Sequence, residues 1–176
     1  MDSIIIGFSR PKSWFVPFAW LIMLVTWCKF SHAYVRYENA YANRNMVFQA
    51  SGLKVNFMGQ TMFDGEENVY AEFNIPISDA AKLSTVQFAI DNVGSSYAVG
   101  QILGFPIVWF MAMFGKKIRN PFYSGSNYFC SELVCDILNE INGTALDSSV
   151  MTPKDIYGYL LSKGYQPVSA QSTAQS

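Results

Sequence analysis

Two kinds of apolar spacing divide this chain, a period of two in its first half and a helical period in its second. Residues 3–8 (SIIIGF) read as a short buried strand. HAYVRY, 32–37, alternates so that His32, Tyr34 and Arg36 share one face and Ala33, Val35 and Tyr37 the other. Strands over 45–51 and 53–58 follow, joined by a tight Ser51-Gly52 connection. After a turn at GEEN, 65–68, Val69, Ala71, Phe73 and Ile75 alternate with more polar neighbours. The second half predicts a helix over 79–93, with Ser78 as N-cap, a stripe of Leu83, Val86, Ile90 and Val93, and Gly94 as stop. A shorter helix is expected over 97–103. Another opens near Cys130, with Leu133, Val134, Ile137, Leu138 and Ile141 at helical spacing and Gly143 as its C′ residue. The last runs over 152–164, where Thr152, Pro153 and Asp155 form a capping box with proline at N1. Strands gathered ahead of helices predict one α+β domain over 1–168, an antiparallel sheet with helices packed on it. The polar SAQSTAQS at 169–176 reads as a disordered tail.

At 51 % apolar, 16 % aromatic and only 14 % charged residues, the chain is greasier than one domain core requires, and its net charge of −1 excludes an electrostatic case for nucleic acid. The excess lies in two runs. WFVPFAWLIMLVTW, 14–27, belongs to an expected helix over 13–28 that is apolar nearly all round, with Pro17 in its first turn. FPIVWFMAMF, 105–114, is the second, inside a hydrophobic insertion over about 105–127. Neither run reaches the roughly 20 residues of a membrane span. Both could contact a membrane surface near the site, or pack together and enlarge the core. A signal peptide or anchor over 1–33 is the alternative for the first run, because Arg10 and Lys12 precede it and SHA follows it. Cleavage after Ala33 would remove the chain's single histidine, and SIIIGF ahead of the run reads as a strand. The three cysteines, Cys28, Cys130 and Cys135, have no metal-ligand spacing and read as reduced thiols. No metal or cofactor is expected, and the location expected is cytoplasmic or membrane-associated.

With Asn127 as N-cap, Cys130 falls in the first turn of its helix, where unpaired N–H groups and the positive end of the dipole favour a thiolate. Cys130 also continues the apolar stripe, as a buried core cysteine would. A nucleophile needs a base, and His32 is the one imidazole available. The imidazole needs a third group to fix its tautomer. Gln49 stands between Phe48 and Ala50 in an otherwise apolar strand, where a buried amide must find a partner. Each of the three residues alone has an ordinary structural explanation. Glu132 reads as a charge complementing the helix dipole, with a place in the site wall as the alternative. Cys28 and Cys135 read as packing residues.

FSHAYVRY resembles the histidine strand of the circularly permuted NlpC-type papain-like cysteine hydrolases, the YiiX-like branch. FCSELVCDIL resembles their nucleophile helix, VFQAS the strand that supplies the third polar residue, SYAVGQIL a tyrosine segment upstream of the cysteine, and TPKDIYGYL the segment after it. DSIIIGF is similar to their opening strand. The resemblance covers about residues 2–164 in family order. It implies a permuted papain-like fold in which Cys130 is the nucleophile, His32 the base and Gln49 the orienting residue. It further implies an oxyanion hole using the Cys130 N–H, with Ser131, Tyr97 and Tyr34 around the cleft. Tyr34 stands where glycine is common, which would crowd that cleft. Gln49 replaces a carboxylate or histidine and lends the imidazolium no charge, so a less basic His32 is expected. Three functions follow: a cysteine hydrolase of amide or peptide bonds acting through an acyl-enzyme, a lipid or fatty-acyl hydrolase or acyltransferase at a membrane surface, or a non-catalytic membrane- or partner-binding module.

Overall fold

Strands dominate the first 77 residues of the computed structural model, which describes residues 2–14, 16–39, 44–51, 54–97, 111 and 127–168. The elements are β1 (Asp2–Pro11), α1 (Pro17–Thr26), β2 (His32–Asn39), β3 (Arg44–Ser51), β4 (Lys54–Gly59), α2 (Gln60–Glu66), β5 (Glu67–Ile77), α3 (Asp79–Asn92), β6 (Ser96–Tyr97), β7 (Asn127–Tyr128), α4 (Cys130–Asn142), α5 (Pro153–Ser162) and β8 (Pro167–Val168). The expected α+β class with an antiparallel sheet is what forms. The strands make one sheet in the order β7-β6-β4-β3-β2-β1-β5-β8, antiparallel except for the short β6–β7 pair. The predicted helix over 97–103 lies outside the described residues beyond Tyr97, as do Gly52, all of the 105–127 insertion except 111 and Asn127, and the tail.

Registers fix which side chains share a face. Ile6 sits opposite Val35, Val35 opposite Phe48, and Phe48 opposite Phe57. This face is apolar and completely buried at Ile4, Ile6, Phe8, Val35, Phe48, Phe73 and Ile75. Leu133, Val134, Ile137 and Leu138 of α4 and Ile156 and Leu160 of α5 pack into the same core. The opposite face brings Ser9 beside His32 and Gly7 beside Tyr34. Among the described residues α2 contributes a buried apolar cap there, Phe63, whose ring lies 4.4 Å from that of Tyr34 and which clusters with Val47.

Three sequence expectations are corrected. The turn expected at 65–68 is replaced by α2, which runs to Glu66, and by β5, which starts at Glu67. One buried phenylalanine in a polar stretch leaves no periodicity to read. In α3, Leu83, Ile90 and Val93 point outward, whereas Thr85 and Ala89 are completely buried. Small side chains let α3 lie close, and the Tyr37 hydroxyl donates to the Thr85 carbonyl at 3.3 Å. The N-cap of α4 is Phe129 rather than Asn127, which sits in β7. The Glu132 carboxylate accepts the Phe129 N–H at 2.8 Å, so the cap comes from inside the helix. The Ser78 and Thr152 caps form as expected, Ser78 Oγ accepting from Ala81 N–H at 3.2 Å and Thr152 Oγ1 from Asp155 N–H at 3.2 Å.

Candidate active site

His32 opens β2 and Cys130 opens α4, which packs across β2. Because both residues are at the ends of their elements, a side chain from the helix-covered face can meet one from the polar face. The imidazole and the thiol are close enough to shift one another's protonation. The sulfur also lies 4.0 Å from the Ser31 carbonyl oxygen. His32 Nε2 is 2.7 Å from Gln49 Oε1. Nε2 donates its proton to the amide oxygen. Gln49 is buried, and its Nε2 donates to Met58 Sδ at 3.8 Å. The fold therefore brings Cys130, His32 and Gln49 together.

The electrostatics favour charge separation within the pair. Burial alone pushes the Cys130 thiol up, but the hydrogen bond and positive charge of His32, then the N–H groups of Ala33 and Ser131, bring it below the ordinary thiol value. Burial likewise pushes His32 down. The hydrogen bond and charge of Cys130 outweigh it, with Glu67 and Gln49 adding less, and the imidazole rises to about 9. The neutral third residue thus does not leave His32 weakly basic, because the thiolate and Glu67 supply negative charge. Spacing gave no hint of Glu67, which fell in the stretch read as a turn. Its carboxylate accepts the Ser9 hydroxyl at 2.8 Å. Ser9 is opposite His32 in β1, where the register with β5 slips by one residue.

Tyr34 does not wall a cleft. It is completely buried behind the imidazole, its ring nearly parallel to that of His32 with centroids 6.3 Å apart. Its hydroxyl donates to Glu72 Oε1 at 2.7 Å, and Arg36 Nη2 lies 2.9 Å from the same oxygen and 3.3 Å from Asp64 Oδ1. The tyrosine fits because Gly7 faces it. A Cβ on Gly7 would stand 2.1 Å from Tyr34 Cζ. The Tyr34 side chain is thus accommodated by a glycine on the neighbouring strand.

Ser131 is buried in the first turn of α4, its N–H directed at the sulfur. Tyr97 is on β6, paired in register with Tyr128, the second residue before Cys130. Glu132 is buried and caps α4, and burial first, then the charge of Asp136, raises its carboxyl to about 7 against the opposing Phe129 N–H. Cys135 is completely buried and Cys28 packs against the core. Among the described residues no group of three or more His, Cys, Asp or Glu is placed to hold a metal. Comparison with protein-family models finds no match, and comparison with curated proteins finds none either.

Proposed function

We propose that this chain is a cysteine hydrolase of amide or peptide bonds, built as a circularly permuted papain-like domain of the NlpC type. The observation that carries the reading is the grouping of Cys130, His32 and Gln49, with the sulfur at the start of α4 and the imidazole bound to the amide oxygen. The order histidine, amide, cysteine along the sequence agrees with the permutation that the motif resemblance implies. In the reaction, His32 takes the thiol proton and the thiolate attacks the substrate carbonyl carbon. The Cys130 N–H, free of an intrahelical acceptor at N1, faces the developing oxyanion. The imidazolium then gives its proton to the departing amine as the C–N bond breaks. Water, deprotonated by the same imidazole, hydrolyses the thioester and restores the thiol.

A small electrophile such as iodoacetamide, followed by mapping of the modified cysteine, tests the reading. Cys130 should react fastest near neutral pH, and His32→Ala should slow it at least roughly tenfold while leaving Cys28 and Cys135 unchanged. Equal, slow reaction of all three thiols would favour a non-catalytic binding module. A second reading, a lipid or fatty-acyl hydrolase or acyltransferase, is favoured by the exposed apolar residues of α1, which ends six residues before His32. Turnover of long-chain acyl esters in preference to peptide amides would select it.

A further inference from the structure

α1 is apolar throughout, yet one side of it faces solvent. Val16, Trp20, Leu24 and Trp27 follow one another at intervals of four, four and three residues, which aligns them along one stripe. Trp20 is 49 % exposed, Leu24 70 % and Trp27 85 %, and Trp14 just ahead of the helix is 70 % exposed. Ala19, on another side, is buried. Trp27 also ends the helix in the left-handed region, at φ 51° and ψ 46°, the one non-glycine residue with positive φ among those described. Glycine is the usual residue at such a helix end. A bulky indole there is strained, and folding stability gives no reason for it.

Along the sequence the charges flanking this stripe are of one sign, although Lys12 also meets the backbone at Asp64 and Glu66. Arg10, Lys12 and Lys29 flank α1 and are exposed, and no acidic residue occurs between Ser9 and Phe30. The whole chain carries 12 basic and 13 acidic residues, so the remainder outside this segment has nine against thirteen. At the C-terminal end of the helix, Lys154 Nζ donates to the Thr26 carbonyl at 3.0 Å. Exposed indoles with flanking cations are the composition that settles at the headgroup level of a negatively charged bilayer. Ten helical residues span about 15 Å against a hydrocarbon core of about 30 Å, so α1 would lie in the interface plane. No helix among the described residues is long and apolar enough to cross a membrane.

We propose that the Trp20–Leu24–Trp27 stripe is an interfacial docking surface for an anionic lipid bilayer. This goes beyond the hydrolase reading and does not depend on it. Trp27 is five residues before His32, at most about 18 Å along the chain, so docking would hold the Cys130–His32 pair near the headgroups.

The test is flotation of the full chain with phosphatidylcholine vesicles, with and without phosphatidylglycerol, at low and high salt. Binding is expected on the phosphatidylglycerol vesicles, with a blue shift of tryptophan emission and loss at high salt. Trp20→Glu combined with Leu24→Glu should weaken it roughly tenfold or more. Trp27→Gly provides a variant that does not threaten the fold. It removes both the indole and the strained backbone, so its melting temperature should be no lower than that of the parent while vesicle binding falls. Iodoacetamide reactivity of Cys130 should be unchanged in both variants, which separates this inference from the hydrolase reading. The proposal is overturned if the parent does not float, if binding ignores lipid charge and salt, or if light scattering shows a dimer that the paired glutamates dissolve.

Discussion

The two faces of the sheet obey different rules although the same strands build both. On the helix-covered face, Phe8, Val35, Phe48 and Phe73 are held by shape and exclusion of water. On the other, His32, Tyr34, Arg36, Gln49 and Glu72 are held by directed contacts, each polar group needing a named partner. A period of two lets one strand serve both faces, so β2 presents Val35 to the core and, one residue away, Tyr34 and Arg36 to the network. The difference teaches that the apolar face sets stability, whereas the polar face sets the orientation of the imidazole and tolerates little change in any single partner.

Removing bulk from the apolar face should have the largest effect. Phe73 is completely buried and meets the rings of Phe8 and Tyr157 edge-on. Phe73→Ala is expected to cost about 3–5 kcal/mol in urea unfolding. A loss under about 1 kcal/mol would mean that this face is not the close-packed core described.

On the polar face, breaking a pair should cost more than removing it. Glu72→Gln leaves the more distant Asp64 as the remaining carboxylate beside the buried Arg36 guanidinium among the described residues, and about 3 kcal/mol of destabilisation is expected. Arg36→Met added to Glu72→Gln should recover part of that loss, because an uncompensated buried charge is then gone. If the double variant is the less stable, the face is held by packing and the contrast fails. Gly7→Ala probes the same face through shape. The new methyl would collide with the Tyr34 ring, at an expected cost of about 1–3 kcal/mol that largely vanishes in a Tyr34→Ala background.

Proton linkage gives the next effect. His32 is raised, so its imidazolium persists through neutral pH and is lost as pH rises through about 9. Amide hydrolysis needs that proton for the leaving amine and should fall about tenfold per pH unit above this point, equal to about 1.4 kcal/mol per unit. Alkylation of Cys130 needs only the thiolate and should not fall. Since the Gln49 contact helps raise His32, Gln49→Ala should move the hydrolysis limb to lower pH and reduce turnover. An unshifted limb would remove Gln49 from the positioning of the imidazole.

Local pattern made the strands readable, and the candidate site's three residues were readable by type and order. β1 to β5 fell close to their expected positions because a short apolar run marks β1 and period-two alternation marks β2 and β5 within their own segments. His32, Gln49 and Cys130 stood out as a lone imidazole, an amide among apolar residues and a thiol at a helix start. What escaped was set by contacts distant in sequence. Glu67 is 35 positions from His32 and looked like part of a turn, and the partners of Glu72 are Tyr34 and Arg36 on a strand two places away in the sheet. The place of Tyr34 depended on Gly7, a residue with no side chain to announce it.

α3 offers the smallest effect and a check on how the apolar face is covered. Its large apolar residues suggested the buried stripe, but Leu83 and Ile90 are each 59 % exposed, whereas Thr85 and Ala89 are sealed against the core. Hydrophobicity lost to packing here because Thr85 can bury its hydroxyl, donating to the Lys82 carbonyl at 2.9 Å, while its small volume lets the helix approach. The Tyr37 hydroxyl uses that approach to reach the Thr85 carbonyl. Leu83→Ser and Ile90→Ser should therefore each change stability by no more than about 0.5 kcal/mol, the range of surface substitutions. Thr85→Leu, which looks like an improvement by hydropathy, should destabilise by about 1–3 kcal/mol through overpacking. The reverse ranking in thermal or urea unfolding would rotate α3 about its axis and return Leu83 and Ile90 to the core.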